Sequence, residues 1–201
     1  MRLGIFGGTF DPVHCGHLCL AESAEKELNL DRIVFVPAFR SPFKTGPLQR
    51  SPTHRLKMLR LAVGKKKNWS ISSFELQRNR TSYTINTVRH FARKFPKSEL
   101  YLILGTDSLK GFKKWKEWRQ LVRKCFLVAG KRKGPAFKPD PAFNEKIRFL
   151  KSAMSPVSST GIREKLAAGA GSKQVPKPVL DYIRREGLYA GPASQKHRSL
   201  S

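Results

Sequence analysis

Cysteine is scarce in this chain, with three in 201 residues. Cys15, Cys19 and Cys125 form no CxxC pair. That excludes the spacing of a cysteine zinc site, and an odd count fits reduced thiols better than a disulfide framework. Cys15, between two histidines, reads as a spacer more readily than as a reactive thiol. Long apolar runs are also lacking. The chain opens Met1-Arg2-Leu3-Gly4-Ile5-Phe6 and meets paired glycines at once, so neither a signal-peptide apolar region nor a membrane span is expected, and a cytoplasmic location is. Acidic residues are few: 14 against 40 basic, for a net charge of +26. Such a field attracts nucleotides, nucleic acids and anionic membranes without choosing among them. The basic clusters (Lys65-Lys66-Lys67, Lys113-Lys114, Lys131-Arg132-Lys133, Arg184-Arg185) are scattered, which leaves a solvated basic surface and a nucleic-acid groove both open.

Hydrophobic residues at 39% and aromatics at 10% suffice for a packed core. One domain over residues 1–189 and a disordered tail over 190–201 are expected. Strand-like runs alternate with helical patterns. Leu3–Phe6, Ile33–Val36, Trp69–Phe74, Leu100–Leu104 and Cys125–Ala129 read as strands. His17–Leu28 reads as a helix. Ser51-Pro52 caps a second, whose core stripe is Leu56, Leu59 and Val63. Ile85, Val88, Ala92 and Phe95 mark a third, and Trp115, Trp118, Leu121 and Val122 a fourth. Residues 158–168 and Pro178–Glu186 read as the last two, with 38–50 and 130–143 as loops. Fully apolar strands alternating with helices predict an α/β fold: a Rossmann-like, doubly wound, mostly parallel sheet with helices on both faces. In such folds ligands bind beyond the carboxyl ends of the strands.

The first strand ends in "GGTFDPVHCGHL", residues 7–18. Glycines there let backbone approach phosphate, although GxGxxG is absent. His14 and His17 admit three readings. With Asp11 they could hold a metal, but HxxH without a further ligand is thin. A His–Asp hydrolytic pair lacks a GxSxG-type nucleophile site. Both imidazoles could instead donate to phosphate oxygens at a helix start. "SSTGIR", residues 158–163, stacks hydroxyls before another helix and adds Arg163 in its first turn. Alone it is only a good N-cap. Paired with the histidines it suggests a triphosphate held between two helix starts.

The ordered set GGTFDPVHCGHL, SYT (82–84), GTDSL with a following KW (105–115), SSTGIR and REGLY (185–189) closely resembles bacterial nicotinate-nucleotide adenylyltransferases, members of the nucleotidyltransferase superfamily with the HxGH signature. The resemblance implies transfer of AMP from ATP to nicotinate mononucleotide, giving nicotinate adenine dinucleotide and pyrophosphate in NAD biosynthesis. It implies Mg²⁺ carried mainly by the ATP phosphates, with no protein metal ligands. It implies His14, His17 and Arg163 as catalytic residues. Gly8, Thr9, Phe10, Gly105, Asp107, Ser158 and Thr160 join them around ATP. Lys44, Ser82, Tyr83, Thr84 and Trp115 fall on the acceptor side, with Trp115 stacked on the pyridine ring. Two departures stand out. The family's Pro-Pro-His-Lys-like loop reads Arg40-Ser41-Pro42-Phe43-Lys44, and phenylalanine cannot replace a histidine donor, leaving Arg40 as the nearby substitute. An Arg-Pro-Gly stretch is replaced by residues 130–134. The rival readings are another acceptor (nicotinamide mononucleotide or phosphopantetheine) or a basic nucleic-acid-binding protein on the same fold. For an enzyme, nucleic acid is expected only as a nonspecific electrostatic partner.

Overall fold

The computed structural model describes residues 1–43, 50–132, 140–154, 157–170 and 172–191. Lys44, and residues 192–201 of the expected tail, lie outside them.

β1 (Arg2–Gly8), α1 (Cys15–Leu28), β2 (Arg32–Pro37), α2 (Pro52–Val63), β3 (Trp69–Ile71), α3 (Phe74–Gln77), α4 (Thr84–Lys94), β4 (Glu99–Leu104), α5 (Thr106–Lys110), α6 (Trp118–Lys124), β5 (Phe126–Arg132), β6 (Ile147–Met154), α7 (Ser159–Ala167) and α8 (Lys177–Arg185) follow in order. The six strands form one sheet, β3-β2-β1-β4-β5-β6, with every pairing parallel. The order reverses between β1 and β4, which places a ligand crevice beyond their carboxyl ends.

Alternation along the central strands assigns each residue to a layer. Phe6, Ile33, Phe35, Tyr101, Ile103, Val128 and Leu150 face α1, α2, α7 and α8 in one core cluster. Leu3, Ile5, Val34, Val36, Leu100, Leu102 and Leu127 face α4, α5 and α6 in the other. Both faces are therefore covered, as the continuous apolar strands predict. No helix among the described residues is long and apolar enough to cross a membrane.

Several boundaries differ from expectation, each for a physical reason. β3 stops at Ile71, and Phe74 opens a short helix. The fourth helix begins at Trp118, not Trp115, because Glu117 adopts a left-handed conformation ahead of it and Trp115 lies in the preceding loop. β5 runs through Arg132, into a stretch that reads as loop. β6 is unreadable as a strand in sequence, since Arg148, Lys151 and Ser152 interrupt its apolar residues. As an edge strand it pairs on one side only, with β5, and tolerates such interruptions. Glu27 of α1 covers part of that edge, accepting from the Lys151 and Ser152 amides at 2.6 and 3.1 Å. In α2 the buried stripe is Arg55, Met58, Leu59 and Val63, with Leu56 half-buried.

Candidate active site

α1 starts at Cys15, and His14 is its extended N-cap residue. The expected start at His17 is two residues late, because the N-cap is a histidine rather than Ser, Thr, Asp or Asn. Both histidines therefore sit on the first turn, and their rings lie 3.7 Å apart between centroids. The His14 amide donates to His17 Nδ1 at 3.2 Å. An accepting Nδ1 places the proton of the neutral ring on Nε2. Phe10, at 5.1 Å, and Phe6, at 6.0 Å, pack against the His17 ring. His14 is buried, and burial lowers its pKa to about 4. Near neutral pH it is an uncharged donor, and its Nδ1 is buried with no hydrogen-bond partner. The glycine between the histidines has a steric cause: a Cβ on Gly16 would come within 3.1 Å of His14 Nδ1. Gly8 is similar, since a Cβ there would meet the Phe10 ring at 3.0 Å.

Asp11 takes no part in a metal cluster with these histidines. Its carboxylate accepts from Tyr189 Oη at 2.5 Å and from the Arg50 amide at 3.4 Å. Among the described residues no group of three His, Cys, Asp or Glu side chains could hold a metal ion. Burial pushes the Cys15 thiol up rather than down, which removes the basis for a reactive thiolate.

The two helix starts meet. Ser159 Oγ donates to the Pro12 carbonyl at 3.1 Å, and Arg163 Nη1 to the Asp11 carbonyl at 2.8 Å. Ser158 caps α7 by accepting from the Gly161 amide at 3.1 Å. Residues 147 and 152 positions apart in sequence thus share one wall. Arg163 Nη2 also donates to Thr160 Oγ1 at 3.1 Å.

A cavity of about 540 Å³ opens at the switch point. His14, His17, Gly8, Thr9, Ser158 and Thr160 line one end, with Gly105 beside them. Ser82, Tyr83, Thr84 and Trp115 line the other, joined by Phe43 and Glu75. Phe10 and Arg163 fall outside this lining. Phe10 is fully buried, with a positive φ of 49°, so its ring is core. Arg163 stands behind the wall on the Asp11 carbonyl. Asp107 lies in α5, and its side chain is outside the described residues. Arg40, the expected substitute donor, is exposed and is not among the lining residues; its backbone pairs with Thr81.

Two functional residues escape sequence reasoning. Glu75 is buried, and its carboxylate accepts from the Thr87 and Ser82 hydroxyls. Burial pushes its pKa up. Ser82 Oγ accepts from the Phe39 amide at 2.9 Å, so Glu75 props the Ser82–Thr84 turn against the loop after β2. Arg55, fully buried, donates to the carbonyls of Arg50, Thr9, Ala38 and Phe39 at 2.7–3.2 Å. It ties the loops after β1 and β2 together. For Arg55 the available signal was a charged residue on the otherwise apolar stripe of α2; Glu75, in a four-residue helix, had none.

The chain matches the cytidylyltransferase-like family over residues 5–165. A "probable nicotinate-nucleotide adenylyltransferase" of Neisseria gonorrhoeae is 35% identical, over 94% of this chain and 98% of that one. A protein of the same description from Dictyoglomus thermophilum is 37% identical, over 94% and 100%. Among solved structures, a Plasmodium falciparum nicotinic acid mononucleotide adenylyltransferase complexed with NaAD superposes with a TM-score of 0.76 at 19% identity, covering 94% of this chain and 97% of that one.

Proposed function

The chain belongs to the cytidylyltransferase-like family, and we propose that it transfers AMP from ATP to nicotinate mononucleotide, yielding nicotinate adenine dinucleotide and pyrophosphate. The observation that carries this reading is the docking of the SSTGIR helix start on the HxGH loop, through Ser159 to Pro12 and Arg163 to Asp11. It makes one wall of N–H and O–H donors at the end of a parallel sheet, with an aromatic end opposite. We read residues 1–189 as one unit, a reading supported by the sharing of one sheet between strands from both halves of the chain.

The attacking atom is a phosphate oxygen of the mononucleotide, already ionised at neutral pH. It forms a bond to the α-phosphorus as the bond to pyrophosphate breaks. No general base is required. The need is positioning and neutralisation of developing charge. His17, with Nε2–H presented and its ring fixed between Nδ1 and two phenylalanines, donates to the reacting phosphate. His14 supplies a neutral donor beside it. Ser158 and Thr160 hold the triphosphate, with Gly8 and Thr9 close to it and Gly105 and Asp107 toward the ribose. Phe10 serves from the core, through its backbone and by packing His17. Arg163 holds the wall and lends positive charge to it. This donor set suits phosphate oxygens rather than a cation, so magnesium would be carried by the ATP phosphates and would offset their charge there. Ser82, Tyr83 and Thr84, at the start of α4, receive the nicotinate carboxylate, and Trp115 stacks on the pyridine ring. Lys44 is assigned to the acceptor side by motif position.

The test offers the full chain Mg-ATP with nicotinate mononucleotide or nicotinamide mononucleotide and measures dinucleotide and pyrophosphate. Preferential turnover of the nicotinate form is expected. No pyrophosphate with either acceptor overturns the reading.

A further inference from the structure

Phe43 stands where the sequence departs from the family loop, and its exposure sets it apart. At 53% it is one of two large exposed apolar side chains among the described residues, Met1 being the other. Its ring lines the cavity mouth and faces Trp115, with centroids 5.9 Å apart and planes inclined by 31°. Trp115 is backed by the buried Phe112 ring at 5.4 Å. Among the described residues, the Phe43 amide donates to Ser41 Oγ at 3.4 Å. The loop itself is registered to the acceptor turn. Ser82 N–H donates to the Arg40 carbonyl at 2.8 Å, and the Phe39 amide to Ser82 Oγ at 2.9 Å.

We propose that Phe43 is the second plate of an aromatic clamp, taking the acceptor's pyridinium ring between itself and Trp115 and thereby setting acceptor specificity. The inference rests on the assignment of this end of the cleft to the mononucleotide. A ring stacked on both faces needs roughly 3.5 Å on each side, so about 7 Å between plates. The present 5.9 Å is short of that by about 1 Å, and the Phe43 side chain, on the exposed face of the cleft, can swing outward to supply it. The pyridinium nitrogen of the mononucleotide carries a permanent positive charge. On a chain of net charge +26 the general field repels that charge. Two aromatic faces attract it locally, which a histidine donor at position 43 would do less well once protonated.

The test compares wild type, Phe43→Ala and Phe43→Leu as full chains. Steady-state kinetics with Mg-ATP and nicotinate mononucleotide are followed, and binding of the mononucleotide is set against its uncharged dihydropyridine form. Phe43→Ala is expected to raise the acceptor KM about tenfold, with the ATP KM within about twofold, and Phe43→Leu to fall between. The preference for the charged ring over the reduced ring should shrink in parallel. An unchanged acceptor KM, or a change confined to the ATP KM, overturns the clamp while leaving the reaction intact. Wild-type chain that forms no dinucleotide overturns both.

Discussion

The two ends of the cleft are built differently. The phosphate end is rigid: His14 is buried, His17 is fixed through Nδ1, and two helix starts are locked by Ser159 and Arg163 to backbone carbonyls. The acceptor end is carried by a turn, a loop and a half-exposed tryptophan. Substitution at phosphorus develops charge that demands preorganised donors, whereas a flat ring is recognised by surfaces that can open and close on it. The comparison teaches that damage to one end should appear in turnover and damage to the other in acceptor affinity.

The sharpest way to break this division is His17→Ala. Turnover is expected to fall about 10²–10³-fold, with both KM values and the melting temperature little changed. A loss confined to KM would erase the distinction. Acid comes next. His14 binds its proton less well folded than unfolded, because burial lowers its pKa to about 4 from 6.5. The unfolded chain therefore takes up protons first. Stability is full above about pH 6.5 and declines toward pH 4, by up to about 3 kcal/mol. Thermal melts across that window should show the decline, and His14→Asn should flatten it. Trp115→Ala, at the other end, is expected to raise the acceptor KM about tenfold with turnover at saturation near wild type; an unchanged KM would mean that Trp115 does not contact the acceptor.

The smallest effect belongs to Glu75, whose sign is opposite to that of His14. Burial raises its pKa, so the folded state holds the proton to higher pH than the unfolded chain does. The stability it contributes is present at low pH and lost as pH rises through the raised value. Glu75→Gln, which cannot ionise, should melt higher than wild type at pH 8, by about 1 kcal/mol equivalent. That advantage should vanish in acid, and the acceptor KM should rise only slightly. Equal melting curves at every pH would mean that Glu75 stays ionised at no cost.

Legibility in the sequence followed the same division. The central strands were readable because both faces are covered, so their apolar runs are unbroken. β6 was not, because Arg148, Lys151 and Ser152 break its apolar run, which a strand at the sheet edge tolerates. His14, His17, Ser158 and Thr160 carried a local motif. Arg55 and Glu75 carried none, since their partners are carbonyls and hydroxyls contributed by other segments. Trp115 was assigned to a helix by spacing and found in a loop, where Glu117's left-handed backbone frees it to face the cleft.

By itself the sequence determined the layered α/β class, the two helix starts and the donor chemistry at each, because periodicity, capping and residue type are local properties. Tertiary structure alone decided that the two starts form one wall, that His14 is neutral, that Arg55 and Glu75 prop the loops, and that Phe43 faces Trp115. Each of those depends on burial or on contacts between residues distant in sequence, and no local pattern encodes a partner's position.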